Sequence, residues 1–178
     1  MKFEELEIKG SFLIHAEPFK DSRGIFRRNF CKKEFENYGI ASNVAQTNIS
    51  ENNFKYTLRG FHYQSSPYGE GKTMTVINGR IYDIIVDLRK ESDTYLKWVS
   101  FELSPDMRTS FHVPPGCANA FMTMEDSTLV YYCSSYPYTA EAECGIRYSD
   151  PLFKFKWPID EPKYISDKDD SWPDYHPK

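Results

Sequence analysis

Residues 72–103 read KTMTVINGRIYDIIVDLRKESDTYLKWVSFEL, and this run decides the fold class. Two β-rich arms flank Asn78-Gly79, a pair favoured in two-residue turns whose central residues both need positive φ, so a β-hairpin is expected. In the second arm Tyr82, Ile84, Val86 and Leu88 alternate with Asp83 and Asp87. Successive side chains of a strand point to opposite faces, so one face is apolar and the other is free to carry polar groups. Further strand-like runs at Thr109–Val113, Ala118–Met124 and Thr128–Tyr136 are separated by Pro114-Pro115-Gly116 and by Glu125-Asp126. Short strands at this spacing imply an all-β, antiparallel sandwich or barrel, a class that includes the jelly roll. Upstream, Lys32–Tyr38 (KKEFENY) holds helix formers ahead of Gly39, a fitting C′ residue, and predicts one short helix. Little else has helical periodicity, and the polar, Pro-rich stretch from Pro158 to Lys178 reads as an extended tail.

The chain has 178 residues, enough for one core and too few for a second full domain, so residues 1–178 are expected to form a single unit. With 22 Lys and Arg against 26 Asp and Glu the formal charge is −4, and no long basic run appears, which argues against a nucleic-acid partner. No apolar run approaches the ~18 residues of a membrane span, so no membrane insertion is expected. Glu4, Glu5 and Glu7 occupy the start, where a secretory signal needs a basic and then an apolar stretch; the expected location is cytoplasmic. Cys31, Cys117, Cys133 and Cys144 lie far apart with no Cys-x-x-Cys pair and read as thiols.

A jelly roll encloses a cavity in which polar residues from several strands converge, so candidate chemistry is sought on the strands. His62 lies in LRGFHYQ, with Arg59 near it and Lys72 ten residues on. A lone histidine is ordinarily a packing residue, but Tyr132 and Asp169 are the kinds of acid and orienting carboxylate that a histidine base requires. A metal site of the cupin kind uses a His-x-His pair, a later Glu and a His after a Pro-x-Gly turn. Here Gln64 stands two places after His62, and Asn119 follows the Pro-Pro-Gly turn, so no metal is expected.

The ordered set Asp21-Ser22-Arg23-Gly24-Ile25-Phe26, Gln46-Thr47-Asn48, Leu58 to Gln64, Lys72, Gly79 to Arg89, Pro114-Pro115-Gly116, Tyr132, Glu143 to Pro151 and Ser166 to Asp169 resembles the sugar-nucleotide epimerases typified by dTDP-4-dehydrorhamnose 3,5-epimerase. The resemblance runs from about Phe19 to Asp169. It implies a cupin-like jelly roll with one or two short helices, usually a homodimer, working without metal or organic cofactor on a nucleotide-diphospho sugar. It also implies that His62 is the general base, oriented by Asp169, that Tyr132 is the acid on the opposite face, and that Lys72 supports the enolate oxygen. Arg23, Phe26, Arg28, Gln46, Asn48, Arg59, Asn119, Tyr138, Glu143 and Lys168 fall at substrate-binding positions. Among these, Arg23, Arg59 and Lys168 match positions that meet the phosphates or nearby groups, and Tyr138 matches an aromatic stacked on the nucleobase.

The chemistry agrees with those residue types. A proton on carbon beside a ketone becomes removable once the developing enolate is stabilised, for which Lys72 offers a cation. Inversion then needs a base on one face and an acid on the other. Three departures mark this chain: Arg28 stands where the family has Glu, Asn119 where it has His, and one extra residue lies between Gln46 and His62. An Arg donates only, so it cannot accept from the N–H of thymine as a Glu can. The reading is therefore an epimerase acting at carbon 3, carbon 5 or both of a 4-keto sugar nucleotide, with dTDP-4-keto-6-deoxyglucose as the default. The alternatives are a GDP- or CDP-linked 4-keto sugar, heptoses included, or a sugar-binding cupin without catalysis.

Overall fold

The computed structural model describes residues 1–177; Lys178, the last residue of the expected tail, lies outside the described residues. In chain order the elements are β1 (Lys2–Glu5), β2 (Phe12–His15), β3 (Phe19–Asp21), β4 (Gly24–Phe26), α1 (Lys32–Glu36), β5 (Gln46–Asn52), β6 (Leu58–Gln64) and β7 (Lys72–Asn78). There follow β8 (Ile81–Asp87), β9 (Trp98–Leu103), β10 (Thr109–Val113), β11 (Cys117–Thr123), β12 (Thr128–Ser134), β13 (Glu143–Gly145) and α2 (Asp167–Asp170). A six-stranded sheet, β1-β2-β10-β7-β12-β5, faces a five-stranded sheet, β13-β6-β11-β8-β9, while β3 and β4 form a separate two-stranded ribbon. All the strand pairings within these sheets are antiparallel. This is the antiparallel sandwich that the strand spacing implied, in the cupin-like jelly-roll form that the resemblance implied.

The expected hairpin is not formed. The arms flanking Asn78-Gly79 do not pair: β7 lies in the six-stranded sheet between β10 and β12, and β8 in the other sheet between β11 and β9. The turn is a crossover between sheets. Gly79 has φ +78°, but Asn78 is not among the positive-φ residues, so the two-residue hairpin turn is not made. Close packing and backbone geometry both call for Gly79. A Cβ there would collide with the Cα, Cβ and hydroxyl of Thr128, and the Asn78 amide donates to the Ser127 carbonyl at 2.8 Å.

The face pattern read for β8 holds. Ile84, Val86 and Leu88 point outward and are covered by Ile146 and Phe153, with Phe155 and Trp157 packed alongside. Ile81 and Ile85 point between the sheets against Phe111, Met74 and Val130. Each fully buried side chain of this size contributes about 1.5–3 kcal/mol. The α1 helix is shorter than the expected Lys32–Tyr38, continuing as a turn to Gly39 at φ +69°, and it buries Phe35 beside Phe12, Ile14 and Ile40. The segment read as an extended tail folds back instead, carrying the second short helix, α2, to the wall of β6.

Gly39 and Gly79 share positive φ, but a Cβ at Gly39 meets nothing within 4 Å. Gly39→Ala is expected to cost about 1 kcal/mol from backbone strain alone. Gly79→Ala should cost at least ~2 kcal/mol, because overpacking against Thr128 is added. Urea unfolding of the two variants checks this; equal losses would mean that the 78–80 turn is open to solvent like an ordinary hairpin.

Candidate active site

The cavity between the sheets has a volume of about 350 Å³, within the ~300–1,000 Å³ typical of small-molecule sites. His62, Arg59, Lys72, Asn119, Tyr132, Gln46, Tyr138 and Glu143 all line it, as the sequence reading requires. Strand register explains the gathering. On the five-stranded sheet His62 lies opposite Asn119; on the six-stranded sheet Tyr132 lies between Met74 and Asn48, and Lys72 lies opposite Ser134. His62 and Tyr132 thus enter one space from facing sheets.

His62 Nε2 is 2.7 Å from Asp169 Oδ1. Burial alone pushes the Asp169 carboxyl up, but the hydrogen bond and charge of His62 and the backbone N–H of Gly60 outweigh it and hold it below its usual value. An ionised carboxylate only accepts, so Nε2 carries the proton and Nδ1 presents the lone pair. Ser166 caps α2, its hydroxyl accepting from the Asp169 N–H at 3.1 Å, and this fixes the carboxylate. Gly60 makes the contact possible. It has φ +107°, and a Cβ there would lie 2.5 Å from the Asn119 carbonyl oxygen, where the β6–β11 register shifts.

Lys72 is only 8 % exposed; its Nζ donates to the His62 carbonyl at 2.9 Å and lies 3.5 Å from Asn119 Oδ1. Burial lowers its pKa despite nearby carboxylates. The Tyr132 phenol is pushed up, first by burial and then by the charge of Glu70, and so stays a proton donor across neutral pH. At the mouth, Glu143 accepts from Lys168 Nζ and from the Tyr138 hydroxyl, each at 2.6 Å. Gln46 accepts from the Tyr138 N–H at 2.8 Å, which positions that exposed ring. Arg59 is exposed and braced by Asn52. Lys168 therefore reaches the site through Glu143, and Asn48 sits beside Tyr132 on β5 without lining the cavity.

Three further expected binding residues lie away from this group altogether. Arg23 pairs with Asp21 on the β3–β4 ribbon, Phe26 is 73 % exposed, and Arg28 Nη1 donates to Glu34 at 2.8 Å. None lines the cavity of its own chain. Two residues escaped the sequence reading as site members. Asp83 is fully buried, accepts from the Asn119 amide at 3.0 Å and has its pKa driven well up by burial. Glu70 lines the cavity 3.6 Å from Lys72. The signal for Asp83 was a carboxylate in the apolar run IYDIIVD; Glu70 lies in a turn with no such pattern. Among the described residues no three His, Cys, Asp or Glu side chains are grouped as a metal ion requires.

Fold and cavity together define a cupin-like protein whose facing sheets present a histidine and a tyrosine to one cavity. The family model described as dTDP-4-dehydrorhamnose 3,5-epimerase matches residues 5–176. A protein of that name from Sinorhizobium fredii is 36% identical over 97% of this chain and 89% of its own, and one from Methanothermobacter thermautotrophicus is 35% identical over 96% and 92%. The crystal structure of a dTDP-4-dehydrorhamnose 3,5-epimerase from Bacillus anthracis with TDP and PPi bound superposes with a TM-score of 0.93 at 34% identity, covering 98% of this chain and 99% of that one. A Legionella pneumophila enzyme in complex with dTDP-4-keto-L-rhamnose gives 0.87 at 32% identity, covering 94% and 89%. The chain belongs to the dTDP-4-dehydrorhamnose 3,5-epimerase family.

Asp169→Asn is expected to leave His62 in place but to free its tautomer, because an amide can donate as well as accept. Nitrogen-15 NMR of the imidazole at a pH where it is neutral should show the Nε2–H form in the parent and a mixture in the variant. A mixture already present in the parent would contradict the assignment.

Proposed function

We propose that the protein inverts carbon 3, carbon 5 or both of a nucleotide-diphospho-4-keto sugar, with dTDP-4-keto-6-deoxyglucose as the default substrate. One observation carries the reading: His62, with Asp169 behind it, and Tyr132 enter a single cavity from opposite sheets, and Lys72 lies in the same space. His62 Nδ1 takes the proton from the carbon beside the ketone, the electron pair moves toward the carbonyl oxygen, and Lys72 donates to the enolate that forms. Tyr132 returns a proton to the opposite face and is reprotonated from solvent. Arg59 at the cavity supplies a guanidinium suited to a diphosphate. The mouth group of Tyr138, Glu143 and Lys168 accommodates the nucleoside. The alternative of a GDP- or CDP-linked sugar rested on Arg28 and Asn119; within the chain Arg28 is paired with Glu34 and the Asn119 amide is bonded to Asp83. The four free thiols fit a cytosolic setting.

The working form is a homodimer. The β3–β4 ribbon exposes Phe19 (79 %), Ile25 and Phe26, an apolar strip that water disfavours, and Arg23 and Arg28, which like Phe26 miss their own cavity, stand on or beside it. A second copy that covers the strip and receives those residues at its cavity mouth accounts for both facts.

His62→Ala is expected to lower deuterium uptake from D2O into the 4-keto sugar by about 10³-fold, whereas Tyr132→Phe keeps exchange but loses inverted product about 10²-fold. Proton NMR of the sugar ring separates the two effects. Parent-level inversion in either variant would remove that residue from the mechanism. For the dimer, Phe26→Asp should give a monomer by light scattering and raise KM; a variant that stays dimeric would move the interface elsewhere.

A further inference from the structure

Lys72 faces an electrostatic difficulty. Its ammonium lies almost wholly out of water, and burial favours loss of the proton on which its use as an enolate partner depends. The groups packed around it are the His62 carbonyl and ring from β6, Asn119 from β11, Asp83 from β8, Tyr132 from β12, Glu143 at the start of β13 and Glu70 from the turn before β7. Three of these are carboxyls. Asp83 is held to Asn119 and kept toward its neutral form by burial. Glu143 is already committed to Lys168 and Tyr138 at 2.6 Å each. Glu70 alone of the three faces Lys72 directly: its Oε1 is 3.6 Å from Nζ, and the two side chains are 11 % and 10 % exposed.

We propose that Glu70 is a positioning residue of this site: its carboxylate is the counter-ion of Lys72 and holds the ammonium ready for the substrate's ketone oxygen. This rests on the epimerase reading for its catalytic meaning, but the pairing itself does not. The geometry suits the task. The donation to the His62 carbonyl is short at 2.9 Å, whereas the approaches to Asn119 and Glu70 are long at 3.5 and 3.6 Å. One N–H therefore anchors the ammonium, and the loosely held ones can turn to a ligand without leaving it stranded. The field of Glu70 also reaches Tyr132 and favours its protonated form. One carboxylate thus favours the protonated form of both groups of the six-stranded sheet: Lys72 as a cation and, alongside burial, Tyr132 as a neutral acid.

The test follows Lys72 itself. In protein labelled with carbon-13 lysine, with the Lys72 resonance assigned through Lys72→Arg, Glu70→Gln should move the Lys72 titration toward acid by about one pH unit, and Glu70→Asp by less. The alkaline limb of kcat should move the same way with KM little changed, and in a Lys72→Arg background Glu70→Gln should move that limb less, only by the share that Tyr132 carries. Should Glu70→Gln fail to fold, Glu70→Asp carries the comparison. An unmoved Lys72 titration, or a kcat reduced equally at every pH, would overturn the proposal. A Lys72 titration that shifts in a protein inverting no 4-keto sugar nucleotide would support the counter-ion and overturn the epimerase reading instead.

Discussion

The contact between His62 and Asp169 joins residues 107 positions apart, and the rest of the site depends on it. A histidine on a strand is a base only if one ring nitrogen is spoken for and the other is aimed at the ligand. The strand cannot supply that partner from its own face, because Gln64, two residues on, turns to the 137–139 loop and Tyr68. The partner has to come from outside the sheet. The chain end supplies it, laying Phe153, Phe155 and Trp157 over the outer face of β6, β8 and β11 before α2 returns with Asp169. Apolar packing on one face of the sheet is therefore what orients the histidine on the other.

The same sheet pair sets the division of labour. The five-stranded sheet contributes His62 and Asn119, and the six-stranded sheet contributes Lys72 and Tyr132. In the proposed reaction a sugar ring held between them meets His62 on one side and Tyr132 on the other. That opposition is what inversion at carbon requires, and a site built on one sheet would lack it. The carboxylates complete the arrangement by degrees of burial: Asp169 stays ionised against His62, while Asp83 is driven toward neutrality behind Asn119.

Much of this was legible in residue patterns, and the gaps have physical causes. Alternation along β8 gave the correct outer face, since period-two patterning depends on local geometry alone. The Asn78-Gly79 hairpin failed because the same dipeptide serves wherever glycine is forced, and here the force comes from Thr128, 49 residues beyond Gly79 in the chain. No local signal distinguishes a hairpin turn from a crossover between sheets. The 158–177 segment looked like a tail because its contacts are single aromatics rather than a periodic face. Glu70 was passed over for a related reason: a carboxylate in a turn reads as solvated until the fold closes the turn over Lys72. Arg23, Phe26 and Arg28 were read as binding residues, yet they lie on or beside the β3–β4 ribbon and line no part of their own chain's cavity, because sequence alone does not say where the fold carries a short ribbon.

The central claim is that inversion proceeds by proton removal on one face and delivery from solvent on the other. The direct measurement is mass and proton NMR analysis of the product formed by the parent protein from dTDP-4-keto-6-deoxyglucose in D2O. The account predicts one solvent deuterium at every inverted carbon and a carbon 4 ketone unchanged in oxidation state. Inverted product that retains the substrate's own hydrogens at those carbons would contradict it.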